Sequence, residues 1–314
     1  MIDNTGPAIR VAGLTKRYGP PDTGLLAVDH IDFEVAQGEV FGFLGPNGAG
    51  KTSTIRMLTG LTQPTAGQAH ILGMDRAHDL PRIKKQIGVV PESSNLYDEL
   101  TAFDNLMFSM RLYGVPRQER APRAEELLAR FRLTEKRDTR FGRLSRGMRR
   151  ALTIATALAH RPSVVFLDEP TTGLDVASAR NLRRMIAGLR EEGVTVFLTT
   201  HYLEEAERLC DRIALLVKGR IVALDTVEEL KARVQDEVVV EVTLSGRDAA
   251  GPEMWRLVGT NVEATIARAL AQAKAEGRRV IALDTVQPTL EDVFVQLTGL
   301  SAELMQAEKN GKGK

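Results

Sequence analysis

Gly45-Pro46-Asn47-Gly48-Ala49-Gly50-Lys51-Thr52 fills every fixed position of the pattern G-x-x-x-x-G-K-[ST]. Glycines at this spacing let backbone N–H groups turn inward around phosphate oxygens, and a helix that starts here adds partial positive charge. Lys51 can reach the β- and γ-phosphates, the Thr52 hydroxyl can ligate Mg²⁺, and Ser53 follows in the same turn. Downstream, Val164-Val165-Phe166-Leu167 is an apolar run that ends in two carboxylates, Asp168 and Glu169. At the C-terminal end of a strand, Asp168 is placed to hold Mg²⁺, and Glu169 to orient and deprotonate an attacking water. His201 directly follows another apolar run, on the face where open α/β sheets bind ligands, and can hydrogen-bond a γ-phosphate there. Tyr18 is an aromatic that can stack on adenine.

These side chains need strands and helices in a particular order. Residues 40–44 read as a buried strand and 53–61 as a helix, with Ile55, Leu58 and Leu61 at helical spacing. Alternation predicts strands at 9–14 and 31–35, and Gln37-Gly38-Glu39 then predicts a hairpin from the second of these into 40–44. Residues 68–72, 87–90, 164–167 and 194–199 read as further strands, and 213–217 with 220–224 as a hairpin around Lys218-Gly219. Leu182, Met185, Ile186 and Leu189 mark a helix between two of these strands. Strands alternating with helices imply a mainly parallel sheet with right-handed crossovers.

Between Asn95 and about Arg143 helical patterns dominate, with Leu106, Met107, Met110 and Leu112 in one and Leu127, Leu128 and Phe131 in another. This reads as a helical insertion. Ser145 then opens a helix whose apolar stripe is Met148, Leu152, Ala155 and Leu158. Thr226-x-x-Glu229 reads as a capping box and places the main domain boundary. Beyond it the pattern is strand (238–244), helix (262–275), strand (279–284) and helix (289–297), a small α+β appendage. The tail from 301 to 314, ending Lys309-Asn310-Gly311-Lys312-Gly313-Lys314, has little to bury and is expected to be disordered.

Composition narrows the class. The 314 residues carry a formal net charge of +1, so no global field argues for nucleic acid. Cys210 is the single cysteine, which excludes an intrachain disulfide and fits a reducing compartment. Residues 1–6 have neither the basic flank nor the apolar run of a signal peptide, and no apolar stretch has bilayer-spanning length. A role in a membrane process would need another polypeptide to supply the span.

Taken together, Tyr18, residues 45–52, Leu144-Ser145-Arg146-Gly147-Met148, residues 164–169, Gly173-Leu174-Asp175 and His201 resemble the nucleotide-binding subunit of ATP-binding-cassette (ABC) transporters. The resemblance runs from residue 8 to 225 and implies an α/β P-loop cassette: a mainly parallel sheet, an antiparallel β subdomain and a helical subdomain at about 95–160. In that family two cassettes trap two ATP molecules, each held by the phosphate loop of one subunit and the serine-glycine signature of the other. It therefore implies ATP and Mg²⁺ as cofactors, Ser145 and Gly147 as contacts to the partner's nucleotide, and Asp175 at the dimer seam. Glu169 becomes the catalytic base, His201 the γ-phosphate switch, and Glu92 a further ligand for water or Mg²⁺.

Two segments depart from the family pattern. Arg146 and Met148 stand in a signature that usually reads Leu-Ser-Gly-Gly-Gln, and Glu92 stands where glutamine is usual. The ending Pro288-Thr289-Leu290-Glu291-Asp292-Val293-Phe294 and the pair Arg149-Arg150 resemble bacterial drug-export ATPases of the daunorubicin-resistance type. That branch pairs with a separate multi-spanning permease, which implies a peripheral position on the cytoplasmic face of the membrane. The alternative is a soluble ABC ATPase in translation or DNA repair. Such proteins usually carry two cassettes, zinc-binding cysteines or long coiled-coil insertions, whereas this chain has one phosphate loop and one cysteine. A GTPase switch would need a guanine-reading Asn-Lys-x-Asp segment, which is absent.

Overall fold

A computed structural model describes residues 6–234, 238–245, 253–286, 288–300 and 305. The chain divides into two compact units between Asp225 and Thr226. The strands of the first unit are β1 (Ile9–Tyr18), β2 (Leu25–Val35), β3 (Val40–Leu44), β4 (Ala66–Ile71), β5 (Met74–Asp75), β6 (Ile87–Val90), β7 (Val164–Asp168), β8 (Thr195–Thr200), β9 (Arg212–Val217) and β10 (Arg220–Thr226). They form two sheets: a four-stranded one in the order β2-β1-β4-β5, and a six-stranded one in the order β10-β9-β3-β8-β7-β6.

In the larger sheet β9, β3, β8, β7 and β6 run parallel. All five residues of β3 and of β7 are buried, as a strand covered on both faces requires. Register sets the site: Leu44 lies beside Thr200 and Asp168 beside Thr199, so the C-terminal ends of β3, β7 and β8 share one edge.

The hairpin expected from residues 31–35 into 40–44 does not form. β2 pairs with β1, and β3 lies between β8 and β9 in the other sheet. Both hydrogen-bonding edges of β3 are already taken by parallel partners, so Gln37-Gly38-Glu39 carries the chain from one layer to the other. The layers meet through aromatic rings: Phe33 of β2 stacks on Phe41 at 5.6 Å between centroids, and Phe43, Phe166 and Phe197 complete the group. Such pairs contribute about 0.5–1.5 kcal/mol each beyond the area they bury. The turn at Lys218-Gly219 does join neighbouring strands, both residues adopting positive φ as a two-residue hairpin turn demands.

The helices of this unit are α1 (Lys51–Leu58), α2 (Leu80–Lys84), α3 (Ala102–Leu112), α4 (Arg117–Arg130), α5 (Arg146–Ala157), α6 (Val176–Glu191) and α7 (Leu203–Leu209). α3, α4 and α5 pack on one another. Leu106 and Met110 face that contact, whereas Leu112, grouped with them by sequence, is exposed. Ser145 and Asp175 cap α5 and α6, their side chains accepting from Met148 N and Ser178 N.

The second unit contains α8 (Val227–Ala232), β11 (Val238–Leu244), β12 (Glu253–Gly259), α9 (Val262–Ala275), β13 (Val280–Val286) and α10 (Leu290–Thr298). Its antiparallel sheet has the order β12-β11-β13, and Ala269 and Ala273 of α9 cover Val240, Val242 and Leu244. β12 is an addition to the strands expected from sequence. As an edge strand it is only half-buried, and its mixture of charged and apolar residues gives a weak pattern. Of the tail expected to be disordered, 301–304 and 306–314 lie outside the described residues, and Met305 is buried. Among the described residues no helix is long and apolar enough to cross a membrane.

Candidate nucleotide site

The glycine loop joins the end of β3 to the start of α1. Two of its glycines are irreplaceable on steric grounds. Gly50 adopts φ 110°, and a Cβ there would lie 2.4 Å from Ala27 O; a Cβ on Gly45 would lie 2.1 Å from Leu216 O. Pro46 is half-buried, Asn47 and Gly48 form an exposed rim, and Ala49 is buried. Ala49 O accepts from Gly219 N at 2.9 Å, so the loop rests on the β9–β10 turn. Gly50 caps α1 without a side chain, leaving the first-turn N–H groups for another acceptor.

Lys51 folds into this loop with only 5% of its surface exposed. Its Nζ donates to Gly45 O at 2.6 Å and to Pro46 O at 3.4 Å, and lies 3.1 Å from Glu169 Oε1. Thr52 Oγ1 donates to Asp168 Oδ1 at 3.4 Å. Ser53 Oγ accepts from the Tyr18 hydroxyl at 3.3 Å, which places Tyr18 beside the first turn of α1 with 38% of its surface exposed. Lys16 Nζ stands 4.9 Å from the Tyr18 ring centroid.

The two carboxylates at the end of β7 occupy different surroundings. Asp168 is buried and accepts from Thr199 Oγ1 at 2.6 Å. Burial pushes its carboxyl above the ordinary range, with the Thr199 and Thr52 hydroxyls acting in the opposite sense. Glu169 stands at φ 48°, a left-handed conformation that is unusual for a side chain with a Cβ. Its N–H holds this geometry by donating to Thr199 O at 3.1 Å and Thr199 Oγ1 at 3.2 Å. Glu169 Oε2 accepts from His201 Nδ1 at 2.8 Å and from Thr172 Oγ1 at 3.3 Å. Among the described residues Oε1 is buried without a well-directed hydrogen bond, so its 3.1 Å approach to Lys51 is a charge contact. Burial raises the Glu169 carboxyl, but the His201 hydrogen bond and the Lys51 charge outweigh it and hold the group below its ordinary value.

Lys51, Thr52, Asp168, Glu169 and His201 therefore form one connected group, with Tyr18 and Ser53 at its edge. Glu92 is exposed; its carbonyl accepts from Arg150 Nη1 at 3.3 Å, and its charge works against ionisation of Asp168.

Ser145, Gly147 and Asp175 gather in a second cluster. A Cβ on Gly147 would lie 2.5 Å from Ser178 Oγ, which itself donates to Asp175 Oδ2 at 2.6 Å. These bonds from Ser178 hold the Asp175 carboxyl below its ordinary value. Arg146 Nη1 donates to Gly173 O at 2.8 Å, tying the signature to the turn that precedes α6. Among the described residues, the side-chain hydrogen bonds of Ser145, Arg146 and Asp175 all run within this cluster.

Two residues that sequence reasoning passed over complete the site. Arg150 is buried in α5 and donates to Pro170 O (2.8 Å), Asp168 O (2.7 Å), Glu92 O (3.3 Å) and Pro91 O. Burial lowers it to about 10. It shares a helical face with buried Ile154 and Ala157, and a charge on an apolar face was the available signal. Thr199 is fully buried and serves both acids through one hydroxyl. A threonine in a strand carries no such signal, because strands favour β-branched residues for packing alone.

Residues 28–172 match the ABC transporter family. The chain is 34% identical to the linearmycin resistance ATP-binding protein LnrL of Bacillus subtilis (strain 168), over 93% of this chain and 98% of that protein. It is 37% identical to the daunorubicin/doxorubicin resistance ATP-binding protein DrrA of Streptomyces peucetius, over 98% and 97% respectively. Among solved structures, the dimeric ATP-binding cassette MJ0796 bound to ADP and Pi superposes with a TM-score of 0.64 at 26% identity, covering 69% of this chain and 98% of that one.

Proposed function

Because this chain belongs to the ABC transporter family, as one of its ATP-binding proteins with ATPase activity, we propose that two copies close around Mg·ATP and part after its hydrolysis. The observation that carries this reading is the Lys51–Glu169–His201 chain, at 3.1 Å and 2.8 Å, on the shared edge of β3, β7 and β8. A nucleotide phosphate entering the glycine loop competes with Glu169 for the Lys51 ammonium. As Lys51 turns to the phosphate, Glu169 loses a cationic neighbour that holds its carboxyl low, and becomes a stronger base for the attacking water. His201 keeps Glu169 oriented through Nδ1, and its Nε2 is the ring atom available to meet the γ-phosphate.

Tyr18 stacks on adenine, residues 45–53 hold the phosphates, and Ser145, Gly147 and Asp175 meet the nucleotide bound to the second copy. The MJ0796 dimer supports this arrangement. The Thr52 hydroxyl and the Asp168 carboxylate, 3.4 Å apart, are hard oxygen donors suited to Mg²⁺, with Glu92 as a candidate third. Such an ion supplies charge neutralisation on the phosphate oxygens.

Residues 1–225 form the ATPase domain on this reading, with a helical subdomain at about 95–160, and 226–300 form an accessory domain. The resistance names of the relatives support a role at the cytoplasmic face of a membrane, driving a separate multi-spanning permease that exports drugs or other hydrophobic compounds. ATP favours the closed dimer because it gains contacts from both copies, and hydrolysis removes that difference. Glu169→Gln tests the core of the proposal. It should leave ATP binding nearly intact, abolish steady-state hydrolysis and stabilise a nucleotide-bound dimer in size-exclusion chromatography. Unchanged turnover would remove Glu169 from the role of base.

A further inference from the structure

A third carboxyl lies behind the catalytic pair. Glu205, in the first turn of α7, is 2% exposed. Its Oε2 accepts two hydroxyls: Thr171 Oγ1 at 2.9 Å and Thr200 Oγ1 at 3.0 Å. Thr171 lies two residues after Glu169, in the turn leading to Gly173 and Asp175. Thr200 immediately precedes His201, and its hydroxyl also accepts from Tyr202 N at 3.0 Å. One buried oxygen thus joins the segment carrying Glu169 to the segment carrying His201.

The other oxygen, Oε1, is buried with no hydrogen-bond partner among the described residues. A buried carboxyl left half-satisfied costs stability, and burial accordingly pushes it above the ordinary carboxylate range. An apolar side chain of similar volume would fill the same space without that cost. For folding alone, Glu205 is a poor choice; for holding two hydroxyl-bearing loops at one distance, a single strong acceptor is a good one.

We infer that Glu205 is a positioning residue for ATP hydrolysis, fixing the Glu169–His201 pair through Thr171 and Thr200 without itself touching the reacting atoms. The inference rests on the reading of Glu169 as the base. Misplacing a reacting group by about 1 Å can cost a hundredfold in rate, whereas the phosphate loop, which binds ATP, lies outside this contact.

The test separates this role from a structural one. In the full-length protein, Glu205→Leu combined with Thr171→Val and Thr200→Val removes acceptor and donors together; the other bond lost, from Tyr202 N to the Thr200 hydroxyl, belongs to an exposed residue whose N–H water can satisfy. This variant should keep or raise the Tm and keep the KM for ATP, while kcat falls by about tenfold to a hundredfold. Glu205→Gln retains an oxygen for both hydroxyls and should keep kcat within about threefold of the parent, as a rescue. Wild-type kcat in the triple variant overturns the inference, and so does a loss in which KM rises as much as kcat falls. Should the triple variant not fold, Thr171→Val and Thr200→Val made singly replace it. Each should lower kcat with KM unchanged, and normal kcat in both overturns the inference. Glu169→Gln is assayed alongside: if it retains turnover, the base assignment fails, whereas an inactive Glu169→Gln beside a fully active triple variant defeats the Glu205 inference alone.

Discussion

Replacing Thr199 by valine changes one hydroxyl for a methyl and leaves the shape of the side chain intact. The group it removes is fully buried and serves two acids at once. Glu169 N keeps a partner in Thr199 O at 3.1 Å, so little is lost at that end. Asp168 Oδ1 loses its 2.6 Å donor and keeps only Thr52 Oγ1, at a long 3.4 Å. A hydrogen bond to a charged group contributes about 1.5–3 kcal/mol, and an unsatisfied buried acceptor costs a similar amount. Taking about 2 kcal/mol, Tm should fall by about 4–8 °C for a unit of this size. If the same orientation is needed in the transition state, kcat falls by about thirtyfold. Differential scanning calorimetry and steady-state ATPase assays read the two numbers, and Thr199→Ser should restore most of both. A valine variant with kcat within about twofold of the parent would refute the claim that this hydroxyl sets the acids.

Lys51→Ala should weaken nucleotide binding, read by titration with a fluorescent ATP analogue; unaltered affinity would contradict the phosphate-cradle assignment. Arg150→Lys exchanges a fork that reaches four carbonyls for a single ammonium, so both Tm and kcat should fall, at about 1.5–3 kcal/mol for each charged hydrogen bond lost. A lysine variant indistinguishable from the parent would show that those contacts are dispensable. Glu205 carries a pH signature. Its carboxyl is raised by burial in the folded protein, so ionising it there costs stability; the cost is absent below the unfolded value and grows as pH rises toward the folded one. Glu205→Gln should therefore gain Tm over the parent near neutral pH and lose that gain toward about pH 4. A difference that does not change with pH would refute this.

The phosphate loop, the buried runs of β3 and β7 and the cap at Ser145 were legible because each is local. A glycine pattern, an unbroken apolar run and a short polar side chain before a helix all act within a few residues of themselves. The layering was not legible. Nothing near Gln37-Gly38-Glu39 distinguishes a hairpin from a crossing between sheets, since the choice depends on β8 and β9 occupying both edges of β3. The supporting shell of the candidate site was hidden for a related reason. Arg150 looked like one of a basic pair after a helix start, and Thr199 like one of several β-branched strand residues. Glu205 belongs to no pattern that the sequence singles out. Each takes its meaning from oxygens brought to it by another segment.

The position of β3 has a consequence for biosynthesis. Val40 N donates to the carboxylate of Asp211, a residue 171 positions later, and both neighbouring strands also come from the far end of the first unit. At about 5–20 residues per second, a ribosome needs roughly 10–35 s to deliver those partners. Through that interval a five-residue strand of Val, Phe, Gly, Phe and Leu has both edges open in a chain still being made. The segment that carries the glycine loop thus stays open to pairing with other chains until the end of the first unit has been made.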